Sequence, residues 1–477
     1  MEEFSRLASG ISGLDHILAG GLIKGASYII QGRPGAGKTI LSNQIAFHHA
    51  AGGGKVLFVT LLAESHDRLF QALGTLDFFD AEILGQDISY VSVFQAMREE
   101  GLDAVVKLLR KETKRHNATL LVFDGLLNAR DRADTDFDVK TFVAEVQGQA
   151  AFVGCTVLFL TSASLEETSP EHTMVDGVIE LSDMLAGVRT VRQLQVRKSR
   201  GSNALGGLHK FEIDRRGITI YPRIEALYAG NGASGDISPA KLSSGLPELD
   251  ALMGGGLPQG SITLVAGPTG SGKTTLGLHF LSQASPDEPA LHFGFFENEA
   301  RLRLKAQSQN IVLPESGSPH FSVQWRPLGE NLIDRLAHEL LDAVRDRGIK
   351  RLFIDGLGGF ERAAVHRDRL IEFFAIFTNQ LRTLGVTTLA TWEVREIIGP
   401  NVTAPASDLS AVLDNLILLR QFEEDHDLQR SLSIQKMRDS AFDTAARHLS
   451  FAPSGLAIGD RLAGTPGKSS PREPVAD

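Results

Sequence analysis

The chain has a single cysteine, Cys155, among its 477 residues. That excludes an intrachain disulfide, and with no Cys/His spacing around it, a structural zinc site as well. Cys155 opens an apolar run, residues 155–160, so a buried thiol is expected. No apolar stretch reaches the ~18 residues of a membrane helix. Residues 1–12 are polar and acidic, with no apolar centre, which predicts no secretion signal and a cytoplasmic location. Positive charge is in short supply too. Against 58 Asp and Glu stand 48 Lys and Arg, a net charge of −10. A free-standing nucleic-acid binder shows the opposite balance, because phosphate contacts need clustered Lys and Arg. Hydrophobic residues make up 42%, enough for ordinary globular cores, and the length predicts two or three domains.

The chain repeats itself. Gly10-Ile11-Ser12-Gly13-Leu14-Asp15 returns 235 positions later as Gly245-Leu246-Pro247-Glu248-Leu249-Asp250. Gly20-Gly21-Leu22 returns as Gly255-Gly256-Leu257 at the same spacing, as do Gly25 in Gly260 and Lys38 in Lys273. A period this long marks duplication of a whole domain, not a solenoid. Between the halves, Ala229-Gly230-Asn231-Gly232-Ala233-Ser234-Gly235 reads as a flexible linker. The expected organisation is a first domain over 1–228, a linker over 229–236, a second domain over 237–460 and a disordered tail over 461–477.

Each half alternates short, mostly apolar runs with helical patterns. The runs are 28–30, 56–62, 120–123 and 156–160, then 262–266, 291–296, 351–354 and 387–390. Residues 102–116 and 332–347 carry helical periodicity. Runs apolar on both faces suit a buried parallel sheet. The predicted fold class is α/β, two tandem domains, each a mostly parallel sheet flanked by helices.

Gly32-Arg33-Pro34-Gly35-Ala36-Gly37-Lys38-Thr39 and Gly267-Pro268-Thr269-Gly270-Ser271-Gly272-Lys273-Thr274 both fit G-x-x-x-x-G-K-[ST] in full. Each follows a predicted strand and precedes a helical pattern. In this arrangement the glycines aim backbone N–H groups at phosphates, and the helix N-terminus adds positive potential. The ATP-binding residues expected are Gly32, Gly35, Gly37, Lys38 and Thr39, and Gly267, Gly270, Gly272, Lys273, Thr274 and Thr275. The lysines should reach the β/γ-phosphates, and Thr39 and Thr274 should ligate Mg²⁺. Two later apolar runs end in Asp, 120–124 at Asp124 and 351–355 at Asp355. This is the Walker B pattern, whose Asp holds the same metal.

Together these residues resemble the RecA-like P-loop NTPase superfamily, and within it the KaiC family of tandem ATPases. The resemblance runs from about residue 9 to about residue 458. It implies an ATP-hydrolysing homohexameric ring, acting in signalling with protein partners, whose second domain can act as a Ser/Thr autokinase. The family places a Glu-Glu pair after the strand beside the P-loop strand. Here Glu64 and Glu297 are the candidate catalytic carboxylates, and Phe296 stands where the first Glu of the second pair would be. The bland alternative for both is a solvated carboxylate at a strand end. Late in each half come Lys198-Ser199-Arg200 and Lys436-Met437-Arg438. In the family, K-x-R reaches the γ-phosphate held by a neighbouring subunit, so Lys198, Arg200, Lys436 and Arg438 are candidate trans-acting cations; the alternative is a solvated strand edge. Ser410 falls on the family's acceptor serine and Ala411 on its threonine, which leaves Ser410 as the candidate phospho-acceptor, or else an ordinary capping serine.

Two other functions remain open. One is a RecA- or helicase-like DNA-dependent ATPase, opposed by the acidic balance and by segments 129–139 and 361–369, which mix both signs of charge. The other is a scaffold that uses ATP to assemble and hydrolyses little, favoured by the loss of both leading glutamates.

Overall fold

A computed structural model describes residues 4–61, 66–126, 135–162, 169–230, 239–394, 412–424, 426–453 and 455–462. The chain divides into two compact units, 1–227 and 228–477.

In the first unit nine strands form one sheet. They are β1 (Ser27–Gln31), β2 (Val56–Thr60), β3 (Ile88–Ser92), β4 (Leu120–Asp124), β5 (Thr156–Thr161), β6 (Gly177–Ala186), β7 (Arg189–Ser199), β8 (His209–Asp214) and β9 (Gly217–Tyr221). Their order is β3-β2-β4-β5-β1-β6-β7-β8-β9. Pairing is parallel from β3 to β6 and antiparallel from β6 to β9.

The second unit repeats this plan with β10 (Ile262–Gly267), β11 (Ala290–Gly294), β12 (Phe321–Trp325), β13 (Arg351–Asp355), β14 (Thr387–Glu393), β15 (Asn415–Glu424), β16 (Asp427–Lys436), β17 (Arg447–Ala452) and β18 (Gly455–Arg461). The order is β12-β11-β13-β14-β10-β15-β16-β17-β18, the same permutation. The predicted α/β class, a mostly parallel sheet flanked by helices in each half, is the architecture found.

The repeated Gly-Leu-Asp motifs have a local task. Asp15 accepts a hydrogen bond from the Ser9 N–H (2.8 Å), and Asp250 accepts one from the Ser244 N–H (2.8 Å). Each so fastens the turn in front of a short helix, Ser12–Ile17 or Pro247–Leu252.

Strand alternation builds two cores on one sheet. Ile30, Phe58, Val122 and Leu158 pack on one face with Leu41, Ile45 and Ala46 of the helix Lys38–Ala51. Their neighbours Ile29, Leu57, Leu121 and Val157 face the other way, against Val105 and Leu109 of the helix Leu102–Arg115 and Phe142, Val143 and Val146 of the helix Asp136–Phe152. Each such large apolar side chain contributes about 1.5–3 kcal/mol on burial. Cys155 lies in the second of these cores, as expected.

Three features depart from the sequence expectation. The run expected over 291–296 leaves the sheet at Gly294. Phe295 then turns inward onto Phe293 and Phe360, while Phe296 is 55% exposed. The edge strands β3 and β12 lacked a continuous apolar run because their outer positions are half-buried or exposed. The third is β7–β9 and β16–β18, the antiparallel extension of each sheet beyond β6 and β15, whose strands carry polar residues among the apolar ones and so lack the run of a buried parallel strand.

Candidate nucleotide site

Both phosphate loops leave the C-terminal ends of central strands, β1 and β10, and run into the helices Lys38–Ala51 and Lys273–Ser282. Gly37 and Gly272 are the N-caps, and both take φ 105°, a left-handed value that side chains disfavour. Close neighbours add to the requirement. A Cβ on Gly37 would lie 2.9 Å from Ile213 Cδ1, and one on Gly272 would lie 3.1 Å from Leu456 Cδ2. Neither helix has a side-chain cap, and neither carries an acidic residue in its first turn. Their first N–H groups and positive ends are therefore left for an external anion.

The loop lysines curl back over these mouths. Lys38 Nζ donates to the carbonyls of Gly32 (2.7 Å) and Arg33 (3.0 Å); Lys273 Nζ donates to those of Gly267 and Pro268 (2.7 Å each). Burial lowers the pKa of both, opposed by Asp124 at Lys38 and by Glu393 and Asp355 at Lys273. Burial also raises the Asp124 pKa, with Lys38 holding it down. Each Walker B Asp ends its strand beside the loop. In the second unit Asp355 accepts from Thr274 Oγ1 (3.1 Å) on one oxygen and from Thr391 Oγ1 (2.8 Å) on the other.

Glu297 follows β11, where Lys305 Nζ lies 2.9 Å from its Oε1. Its Oε2 is buried, with no hydrogen-bond partner among the described residues. Glu64, its counterpart, lies outside the described residues, as does Ser410.

The basic pairs sit at the other end of the sheet. Strand register places Arg200 level with Asp176, whose carboxylate holds the N–H of Ser27 at the start of β1. Arg438 is likewise level with Asp414, which holds the N–H of Ile262 at the start of β10. From those levels to Gly32 or Gly267 is about five strand residues, or ~16 Å. The side chains also rest on their own domain. Lys198 donates to His172 O (2.6 Å), Arg200 to Thr173 O (3.1 Å) and Lys436 to Leu413 O (2.7 Å); Arg438 lies 3.6 Å from Asp414. Lys198 and Lys436 have lowered pKa values, first through burial and then through the arginine two residues on.

Four residues at the second site escaped the sequence reading. Thr391 orients Asp355, as above. Glu393 accepts a hydrogen bond from the Thr269 hydroxyl. Gln421 donates to Thr269 O (3.2 Å), and Arg430 donates to Gly270 O (3.1 Å) while lying over the Phe451 ring. Each is a polar strand residue, and no spacing announces it.

The sequence profile of the family described as "ATPase: KaiC" matches residues 7–225 and again 242–463, most of the chain. The chain belongs to the KaiC family of ATPases. Relatives named "Circadian clock oscillator protein KaiC" match over nearly the full length. That of Picosynechococcus sp. is 27% identical, over 94% of this chain and 89% of that protein. That of Synechococcus elongatus is 26% identical, over 96% and 90%. "Circadian clock oscillator protein KaiC 1" of Synechocystis sp. is 26% identical, over 95% and 89%. As a KaiC-family ATPase the chain is an ATP-binding protein with tandem RecA-like domains, and the two loops are where its geometry is ready for phosphate. Among the described residues no helix is long and apolar enough to cross a membrane.

Proposed function

We propose that the protein is a ring-forming ATPase that hydrolyses ATP at sites shared between subunits, and that it works as a KaiC-like signalling protein. The observation that carries this is the placement of the basic pairs. Arg200 and Arg438 begin ~16 Å from their own phosphate loops, yet both halves repeat them. A neighbouring copy, turned so that this edge faces the loop, would receive them. Six subunits is the number that the family resemblance implies.

Within each site Gly32, Gly35, Gly37, Lys38 and Thr39, or Gly267, Gly270, Gly272, Lys273, Thr274 and Thr275, would cradle the phosphates. Mg²⁺ fits the donors present. Thr274 and Asp355 offer hard oxygens in mutual contact, and Thr39 and Asp124 offer the same chemistry. Among the described residues no group of three or more His, Cys, Asp or Glu forms a metal cage, which agrees with an ion completed by water and phosphate. Bound there, the ion would neutralise charge on the β- and γ-phosphates. Glu297 is the residue we assign to orient water at the second site, with Glu64 its counterpart in the first. Transfer to the chain's own Ser410 is the finer reading. Glu297 is then the base we assign to that step, because Phe296 replaces the first Glu of the pair.

A DNA-dependent motor gains no support near the second Walker B strand, where Arg369 is held by both oxygens of buried Asp334 (2.7 Å each). The deciding experiment incubates the protein with γ-labelled ATP and Mg²⁺, and follows free phosphate, label on the chain and particle mass. We expect phosphate release from a nucleotide-dependent ring, and label on the chain that Ser410→Ala removes. A monomer that turns over ATP at full rate would refute the shared site, and a ring without phosphate release would favour the scaffold.

A further inference from the structure

Glu393 closes β14, the strand beside β10, and pairs in register with Gly267, the first residue of the second phosphate loop. Its side chain is exposed, and it accepts a hydrogen bond from the hydroxyl of Thr269, two residues into that loop. The Lys273 ammonium rests on the carbonyls of Gly267 and Pro268, just before Thr269. Of the charges acting on that ammonium, Glu393 acts most strongly, ahead of Asp355. Lys273 and Asp355 belong to the β/γ end of a bound nucleotide, where lysine and metal act. A further carboxylate, beyond Glu297 and Asp355, therefore borders the place of the terminal phosphate.

The first unit is built differently here. Gln31 pairs with Thr161 as Ala266 pairs with Trp392, and each of Gln31 and Ala266 directly precedes its loop. Ser162 thus occupies the place of Glu393, without a charge.

We propose that Glu393 is a specificity residue that biases the second site toward nucleoside diphosphate over triphosphate, a bias the first site lacks. This rests on the phosphate-loop reading above. A γ-phosphate arriving at Lys273 meets a like charge fixed by Thr269, and it competes with that carboxylate for the ammonium. A diphosphate leaves the terminal place empty and keeps the Glu393–Lys273 attraction. Once ATP is cleaved at the second site, the product would be the better-held ligand.

The test is calorimetric titration of the full chain with Mg²⁺-ATPγS and with Mg²⁺-ADP, the first site being silenced by Lys38→Ala. Glu393→Gln keeps an acceptor for Thr269 and removes the charge. It should tighten ATPγS on the order of tenfold while ADP changes by less than about twofold. The reciprocal variant, Ser162→Glu with Lys273→Ala, should weaken ATPγS selectively at the first site. An equal shift for both nucleotides, or none, overturns the role of Glu393 and leaves the phosphate loops as assigned. If the Lys38→Ala chain with Glu393 intact binds neither nucleotide, the second loop is not a nucleotide site and the inference falls with it.

Discussion

His292 lies fully buried on β11, and neither ring nitrogen has a hydrogen-bond partner among the described residues. Burial drives its pKa down to about 4, with Glu297 opposing and Lys305 adding to the shift. The imidazole is therefore neutral in the folded chain at pH 7. Between its ordinary value of about 6.5 and 4 the unfolded chain takes up a proton that the folded chain refuses. Stability is then lost as pH falls through that window. His292→Leu should remove the unsatisfied polar group and stabilise the second unit by about 1–3 kcal/mol. It should also flatten the loss between pH 7 and pH 5. Both tryptophans, Trp325 and Trp392, lie in the second unit, so fluorescence during urea unfolding reports on it alone. Equal acid sensitivity in both proteins would contradict this account. Beside it, Glu297→Gln should keep the carbon frame and lose the base, lowering phosphate release at the second site by about 10²–10⁴ while ATPγS still binds. Unchanged turnover would remove Glu297 from the mechanism.

At the scale of elements, the start of each loop-bearing strand is tied down by an Asp from the segment leading into the next strand. Asp414 accepts from Ile262 N (2.9 Å) and pairs with Arg382 (3.0 Å), and only 8% of it is exposed. Asp176 binds Ser27 through both its N–H and its hydroxyl (2.9 Å each). Asp414→Ala leaves the buried N–H at the start of β10 without its acceptor, while Arg382 keeps the Val412 carbonyl (2.6 Å), so the second unit should lose about 1–3 kcal/mol. Tryptophan fluorescence in urea would report the shift, and a change below about 1 kcal/mol would mean that solvent replaces the carboxylate. These tethers were not legible in the sequence. The loop-bearing strands were, because burial on both faces writes an apolar run into the chain, as at 28–30 and 264–266. The loops themselves were legible because left-handed glycines and a buried lysine leave no substitute at their positions. Strands at the sheet edge face water on one side, so β3 and β12 carried no such run. Glu393 and Thr391 act through register across β10, β13 and β14, and register is set by packing that a linear reading does not contain.

At the scale of the whole molecule, the proposed ring would rest on a heterologous contact, one surface bearing the loop and a different one bearing the arginine. Such a contact yields a ring where its rotation closes, and each site would then draw on two chains. That permits a complementation test. A Lys273→Ala chain lacks the second-site phosphate lysine but still offers Arg438. An Arg438→Ala chain has the lysine and offers no arginine. Alone, each should show only the turnover of its first domain, because losing a cation supplied in trans can cost ~10³–10⁵ in rate. Random mixed rings contain junctions where an intact Lys273 faces an intact Arg438. For equal amounts this is about one junction in four. Phosphate release from the mixture should therefore rise above either parent toward about a quarter of the wild-type second-site rate. A mixture that stays at the level of its parents, in rings shown by mass to contain both chains, would mean that Arg438 serves its own domain or none. In that case the repeated basic pair belongs to the fold of β16 and its Asp414 neighbour and not to the chemistry.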